Sequence, residues 1–198
     1  AILNGLNGIG LYSSSMNTLF NNTAELNREN GFLLEKSNNS TLTSNTARGN
    51  ADSGFLVFES QGDDLTANAA SGNGQNGIWL EGASSNDVTR NVVSGNHVGM
   101  RLDDASRNTL GGNTITGNSV AGIRLENSGD NLIYNNYFNN WDNTEFGTSV
   151  LPNTWNVPQT YGQNIIGCSY LGGNYWARPD GTGWSQVTPV NEFGFTSA

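Results

Sequence analysis

Charged residues with the potential for acid–base chemistry recur at a regular spacing in the second half of the chain. Arg101 and Asp103 are followed, after an interval of about 23 residues, by Arg124 and Glu126, and Glu81 precedes Asp103 by a similar interval. If these carboxylates stood on neighbouring strands, they would lie about one or two strand spacings (~5–10 Å) apart. That range includes the separation of the acid pairs in retaining glycosidases. These five residues are therefore the candidate catalytic set.

The same spacing also fits a purely structural arrangement. Like charges on adjacent strands need neutralisation, and arginines that alternate with carboxylates provide it. Because structural ion pairs are more common than catalytic sites, the sequence favours this interpretation. Trp79 and Phe58 precede the charged residues in the same two columns, so an extended glycan could stack on them while Arg101 and Arg124 bind its acidic groups. The candidate ligand-binding residues are Trp79, Phe58, Arg101 and Arg124.

The elements that carry these residues follow an internal repeat. A glycine followed by an apolar residue and, two positions later, another apolar residue recurs as GIGL, GFLL, GFLV, GIWL, GMRL and GIRL. The repeat glycines are Gly8, Gly31, Gly54, Gly77, Gly99 and Gly122, so the period is nearly constant along the chain. Stretches of alternating apolar and polar residues between Gly, Asn and Ser corners predict short strands, and no run has helical spacing.

Asparagine is the second regular feature of the repeat. The chain has 32 Asn among 198 residues, and one fixed place in every repeat is always Asn. An amide side chain both donates and accepts hydrogen bonds, so stacked Asn can bond along a solenoid axis. We therefore predict an internal ladder formed by Asn22, Asn45, Asn68, Asn91, Asn113 and Asn136. Positions 1, 3, 11 and 16, counted from each repeat glycine, are apolar and should form the core.

These patterns predict an all-β fold, a parallel β-helix with about 22–23 residues per coil and six or more coils. Residues 1–140 form the coils, beginning in the middle of one. Residues 141–198 contain four of the five Trp and all four Pro. The repeat is lost there, which indicates an aromatic-rich C-terminal coil or cap.

Composition limits the other classes of function. Only 8 Lys and Arg stand against 17 Asp and Glu, so the chain lacks the clustered cations that nucleic-acid binding requires. A single His and a single Cys argue against a metal centre of the usual kind, and no run is long and apolar enough to span a membrane. We expect no cofactor. Calcium could bind the QGDD and DDAS segments at 61–64 and 103–106, but Asx turns at coil corners explain both segments as well and are the favoured interpretation.

The repeat resembles the NosD-like proteins of the carbohydrate-binding and sugar-hydrolase β-helix superfamily. The segment NTWNVPQTYGQNIIGCSYLGGNYWARPDGTGWSQ, residues 153–186, resembles the segment that closes such repeats in surface proteins of methanogenic archaea. This resemblance implies that the β-helix is right-handed and that the chain is an exported module at the cell surface or in the envelope. Related β-helix enzymes include polysaccharide lyases and hydrolases. The export signal would lie outside this sequence.

The function predicted from these features is that of a non-catalytic scaffold or surface-assembly module that could bind glycans. The alternative is a polysaccharide lyase or glycoside hydrolase that uses the outward face of the Gly-initiated strands. Expected partners are other protein modules, identical subunits and polysaccharide. The sequons at Asn21, Asn38 and Asn39 are candidate glycosylation sites.

Overall fold

The computed structural model describes residues 1–191 as a right-handed parallel β-helix built from three sheets. The predicted fold class is therefore confirmed. Each coil contributes one strand to each sheet, and strands one repeat apart pair in parallel. The strands of sheet 1, which begin at or next to the repeat glycines, are β1 (Ile9–Tyr12), β4 (Phe32–Glu35), β7 (Phe55–Phe58), β10 (Asn76–Glu81), β13 (Val98–Asp103), β16 (Ala121–Glu126) and β19 (Thr144–Phe146).

Sheets 2 and 3 are built from shorter strands that are separated by a corner. Sheet 2 contains β2 (Thr18–Phe20), β5 (Thr41–Thr43), β8 (Asp64–Thr66), β11 (Asp87–Thr89), β14 (Thr109–Gly111) and β17 (Leu132–Tyr134). Sheet 3 contains β3 (Thr23–Glu25), β6 (Thr46–Arg48), β9 (Ala69–Ser71), β12 (Val92–Ser94), β15 (Thr114–Thr116), β18 (Tyr137–Asn139) and β22 (Tyr175–Ala177). An antiparallel hairpin, β20 (Thr160–Tyr161) and β21 (Tyr170–Leu171), and one helical turn, α1 (Trp184–Val187), complete the described elements.

The core consists of the four predicted apolar columns, stacked like upon like. In sheet 1, Phe32 lies over Phe55 with ring centres 4.7 Å apart and planes 6° from parallel. Leu42 and Leu65 continue the core in sheet 2, and Ile115 in sheet 3; all three are completely buried. Period-two alternation puts every second side chain inside, so the outward positions are free to vary.

The solenoid continues beyond residue 140, where the sequence repeat ends. Strand β19 pairs with β16, and β22 pairs with β18 after an inserted segment that contains the β20–β21 hairpin. Asn174 takes the next place in the ladder after Asn136, although the two are 38 residues apart in sequence. Trp176 stacks on Phe138 with ring centres 4.7 Å apart, which places the aromatic C-terminal segment over the end of the core. Residues 192–198 of this segment lie outside the described residues.

The predicted asparagine ladder is present. Asn113 Nδ2 donates to Asn136 Oδ1 at 2.9 Å and to the Val88 carbonyl at 2.8 Å. Asn113 Oδ1 accepts the backbone N–H of Asn91 at 2.8 Å and Asn91 Nδ2 at 3.0 Å. Each side chain thus joins three successive coils and satisfies backbone groups that have turned away from the sheets at the corner.

A second and a third ladder stand at other corners of the coil. The second consists of Asn4, Asn27, Asn50, Asn73, Asn96, Asn118 and Asn140, each of which donates to the next. The third runs through Asn86, Asn108, Asn131 and Asn153. The third ladder does not show as a column of identical residues in the sequence, because it does not hold Asn in every coil.

The repeat glycines are required by close packing. A Cβ at Gly99 would lie 2.4 Å from the Gly122 carbonyl oxygen, 2.6 Å from Ile115 Cγ2 and 2.8 Å from Asn118 Nδ2. The repeat glycine lies at the start of a sheet 1 strand, next to a rung of the second ladder, and no side chain fits there. This explains why the glycine marks the period.

Replacing one rung of the first ladder should be costly. We expect Asn113→Ala to lower the free energy of unfolding by about 3 kcal/mol or more, because the Asn91 N–H and the Val88 carbonyl each lose a buried partner. Urea denaturation followed by circular dichroism measures the change. Thr114→Ala, on the outward side of the same coil, is the matched control. Equal effects of the two changes would contradict a structural role for the ladder.

Filling the glycine column should also destabilise the protein. We predict that Gly99→Ala lowers the free energy of unfolding by about 1–3 kcal/mol or more, through overpacking against the backbone of the next coil. Gly5→Ala is the control, since no atom lies within 4 Å of a Cβ placed there. Thermal unfolding of both variants checks this, and an unchanged Gly99→Ala midpoint would show that the close approach is not a constraint.

Candidate functional site: the outer face of sheet 1

The predicted site residues lie together on the solvent side of sheet 1. One row along the axis contains Leu56, Trp79, Arg101, Arg124 and Glu145, which are successive register partners on β7, β10, β13, β16 and β19. A second row, two residues further along each strand, contains Phe58, Glu81, Asp103 and Glu126. We call these two rows the outer face of sheet 1.

Arg101 is held between an indole ring and a carboxylate. Its guanidinium carbon lies 4.8 Å from the centre of the Trp79 ring, within the range of a cation–π contact. Its Nε and Nη2 lie 2.8 and 2.7 Å from Asp103 Oδ2. The Asp103 side chain is only 13% exposed, so this ion pair is better shielded from solvent than an ordinary surface pair. Arg101 is therefore paired with a carboxylate of its own strand.

Arg124 and Glu126 find different partners. Arg124 Nη1 lies 3.6 Å from Glu145 Oε1 on the next strand. Glu126 accepts hydrogen bonds from the Thr148 N–H and hydroxyl, both at 3.0 Å, and from the Ser149 N–H at 3.2 Å. These bonds, with the Thr148 hydroxyl first, lower the pKa of Glu126 below its ordinary value. Arg101 thus pairs with Asp103 of the same face, as the structural interpretation of the sequence predicted. Arg124 and Glu126 instead find their partners in residues 145–149, beyond the last regular repeat.

Glu81 differs from the other carboxylates of this face, since no described residue forms a hydrogen bond or an ion pair with its side chain. Partial burial and the neighbouring charge of Asp103 raise its pKa, and Arg101 lowers it in part. Glu81 and Asp103 are register partners on adjacent strands. Glu81 is thus a carboxylate of this face whose pKa is raised above its ordinary value, and Asp103 is the second carboxylate of the pair.

Four buried polar atoms on this face have no hydrogen-bond partner among the described residues. They are Trp79 Nε1, Asp103 Oδ1, Arg124 Nε and Glu145 Oε2, out of six such atoms in the described chain. Two are donors and two are acceptors, and all belong to side chains of the two rows. An unpaired buried polar group costs about 1–3 kcal/mol, so their clustering marks the outer face of sheet 1 as the part of the surface least satisfied by its own contacts.

The apolar N-terminal part of the face is small. Leu33 is 8% exposed, and Leu56, Phe58 and Trp79 are half-buried. These side chains therefore expose little apolar surface to solvent.

The remaining candidate residues are scattered. Asn21 and Asn39 are exposed and Asn38 is half-buried, so at least two sequons lie on the surface. In the QGDD segment Asp63 is buried while Asp64 bonds to the Thr66 hydroxyl, and in DDAS Asp103 binds Arg101 while Asp104 accepts from Asn127. The two aspartates of each segment are thus engaged separately. Within residues 1–191, no three His, Cys, Asp or Glu side chains are grouped to hold a metal.

A cavity of about 300 Å³ lies at the C-terminal end of the core, lined by Trp155, Trp176, Trp184 and several asparagines. Its aromatic walls continue the stacking over Phe138 that closes the core. The sequence predicted an aromatic cap here and gave no sign of a cavity, because its lining comes from several separate stretches of chain. No helix of the described residues is long and apolar enough to cross a membrane.

Comparison with known proteins places the chain in a family. The model for the periplasmic copper-binding protein NosD matches residues 2–181. The chain belongs to the NosD family. A periplasmic or extracellular location follows at this coarse level. No curated protein sequence matches the chain significantly.

Solved structures of similar fold come from alginate-modifying enzymes. The periplasmic alginate epimerase AlgG superimposes with a TM-score of 0.67 at 23% identity, over 71% of this chain and 35% of that one. The A-module of the Azotobacter vinelandii mannuronan C-5 epimerase AlgE6 gives a TM-score of 0.60 at 16% identity, over 77% and 55%. The chain thus spans about a third of the first enzyme and half of the second. At these identities the likeness concerns the fold.

The copper implied by the family description does not fit the side chains of this chain. Copper is bound by imidazole, thiolate and thioether groups. His97 is exposed beside the Ser119 hydroxyl, Met100 is buried within the core, and Cys168 lies half-buried near the C-terminal hairpin. His97 and Met100 belong to one coil, but the first is at the surface and the second inside the core, while the exposed Met16 lies in the first coil. The described residues thus do not bring these groups together as a copper site.

The electrostatics of this face can be tested at Glu81. We predict that Arg101→Gln raises the pKa of Glu81 further and that Asp103→Asn lowers it towards the ordinary value, because the first change removes an attractive charge and the second a repulsive one. Carboxyl ¹³C NMR titration measures both. Lys36→Gln, which removes the exposed partner of Glu59, is the control. Opposite shifts would refute the assigned causes.

Proposed function

We propose that the chain is a non-catalytic structural module of an exported β-helix protein at the cell surface or in the envelope. The observation that carries this proposal is the internal pairing of the charged columns that could do chemistry. Arg101 binds Asp103, Arg124 binds Glu145, and Glu126 is held by the 148–149 turn. A catalytic arginine or nucleophilic carboxylate must be free to contact substrate.

The distribution of polar residues supports the same proposal. The buried asparagines are engaged in ladders, and the core is a continuous stack of apolar side chains. Such a solenoid gains its stability coil by coil and serves well as a rigid spacer or assembly unit. Its partners would be other protein modules, identical subunits or a polysaccharide lying along the outer face of sheet 1.

A polysaccharide-acting enzyme is the second candidate. It is favoured by the Glu81–Asp103 pair, in which the pKa of Glu81 is raised, and by Trp79 beside it. Fold relatives named as alginate and mannuronan epimerases place uronate polymers among the substrates to test. In this case Arg101 and Arg124 would exchange their acidic partners for the carboxylates of the polymer.

One set of assays separates the two candidates. The purified chain is incubated with alginate, pectate and neutral glucans, and reducing ends, unsaturated uronates and uronate C-5 configuration are measured. We expect no product, with at most reversible binding detected by affinity electrophoresis. Product formed by the natural sequence and lost in both Arg101→Ala and Asp103→Ala, but kept in Lys36→Ala, would establish the enzyme and overturn the proposal.

A further inference from the structure

The third ladder contains a carboxyl group where the later coils have amides. In Asn86, Asn108 and Asn131, the side-chain nitrogen donates to the next ladder oxygen at 3.1, 3.0 and 2.9 Å. The same nitrogens donate to the backbone carbonyls of Ser60, Ala83 and Ala105, each about one coil earlier. An amide nitrogen in this place therefore always faces two oxygen acceptors.

Asp63 occupies the equivalent place one coil earlier. Its Oδ1 accepts the Ser40 N–H at 2.7 Å, and its own N–H donates to Asn86 Oδ1 at 2.8 Å, as a ladder Asn would. The residue is 1% exposed. Its Oδ2 has no hydrogen-bond partner among the described residues and stands where the other rungs carry their donor nitrogen. By the ladder register, the oxygens that await a donor there are Asn86 Oδ1 and the Ser37 carbonyl.

We propose that Asp63 is a proton-binding site within the solenoid and that its neutral acid completes the third ladder. In the neutral form the Oδ2–H group donates to Asn86 Oδ1, so the side chain reproduces the hydrogen bonds of Asn. Loss of the proton leaves a buried carboxylate whose second oxygen faces acceptors only. The hydrogen bonding between the second, third and fourth coils is then weakened, so the stability of the β-helix depends on pH at this residue.

The surroundings of Asp63 provide no compensating cation. Burial raises the pKa of Asp63 to about 6, and the Ser40 N–H opposes that rise. The rungs packed against it, Ser40 and Asn86, are uncharged. The nearest ionisable groups in sequence are Asp64, which bonds to Thr66, the exposed Asp87, and the exposed Lys36–Glu59 pair. Among the described residues none of these forms an ion pair with Asp63.

The sign of the pH effect follows from the direction of the shift. The folded protein holds the Asp63 proton more tightly than the unfolded chain, whose ordinary pKa is 3.8. The contribution of Asp63 to stability is therefore complete below about pH 4, is lost as the pH rises towards 6, and stays lost above that value. Across this interval we expect Asp63 to raise the ratio of unfolded to folded protein by about 100-fold.

The decisive measurement is the carboxyl ¹³C titration of Asp63 in the folded chain, compared with Asp63→Asn, whose spectrum assigns the signal. We expect a midpoint near pH 6. Asp63→Asn should remove the corresponding loss of stability between pH 4 and 7 in urea denaturation, while Asp87→Asn, an exposed control, should retain it. A midpoint at or below pH 4, or an unchanged pH profile in Asp63→Asn, would overturn the proposal.

Two further arms sharpen the test. Asn108→Asp places a second carboxyl in the same ladder and should add a second loss of stability over the same pH interval; absence of that loss would contradict the ladder argument. A sodium ion could also fill a site lined by three oxygens. If the stability of the natural sequence falls between pH 4 and 6 in choline chloride but not in sodium chloride, sodium and not the proton completes the ladder at ordinary salt, which would contradict the proposal.

Discussion

The hydrogen bond from one asparagine amide to the next, repeated along the axis, is the interaction on which the solenoid depends. At a corner the backbone leaves the sheet, and its N–H and carbonyl groups lose their ladder partners. An amide supplies both a donor and an acceptor at the spacing of adjacent coils, so one residue type repairs both losses. Three such ladders per coil favour a nearly constant coil length, and the inserted segment between Asn136 and Asn174 is compatible with the first ladder because the chain returns to the next rung after it.

The other regularities follow from that requirement. Many corners take left-handed backbone conformations at non-glycine residues, among them Ser44, Arg90 and Asp104, with φ between 51° and 57°. These strained backbone conformations are tolerated because the hydrogen bonds of the neighbouring ladders hold the corners in place. The repeat glycines meet a different demand, since Gly77 and Gly99 each pack their backbone against the next coil and against a rung of the second ladder. Strain and close packing are thus concentrated at the corners, while the outward strand positions stay free.

This division explains what could be predicted from the sequence. The glycine and Asn columns define the coils because they report a constraint that acts in every repeat. The third ladder could not be predicted, because Ser40 and Asp63 take the place of Asn in two of its coils. Different residue types can make the same hydrogen bonds, and a search for a column of one residue type does not find them. The partner of Arg124 was missed for another reason. Glu145 lies beyond the last regular repeat, and only the fold shows that β19 re-enters sheet 1.

On the outer face of sheet 1, the charge state of each side chain depends on its immediate neighbours in the solenoid. Each outward side chain has neighbours along its own strand and from the coils before and after it, and these few residues set its charge state. Asp103 is neutralised within its own strand, and Glu126 is fixed by the turn of the next coil. Glu81 lies between Phe58 and Asp103, so the coil on one side of it gives no charge at its register position and the coil on the other gives a repulsive one. Glu81 therefore stands where the row changes from apolar to charged residues, and it has no oppositely charged register partner. At such a position a β-helix can gain a ligand-binding or proton-transferring side chain while its core and ladders stay unchanged.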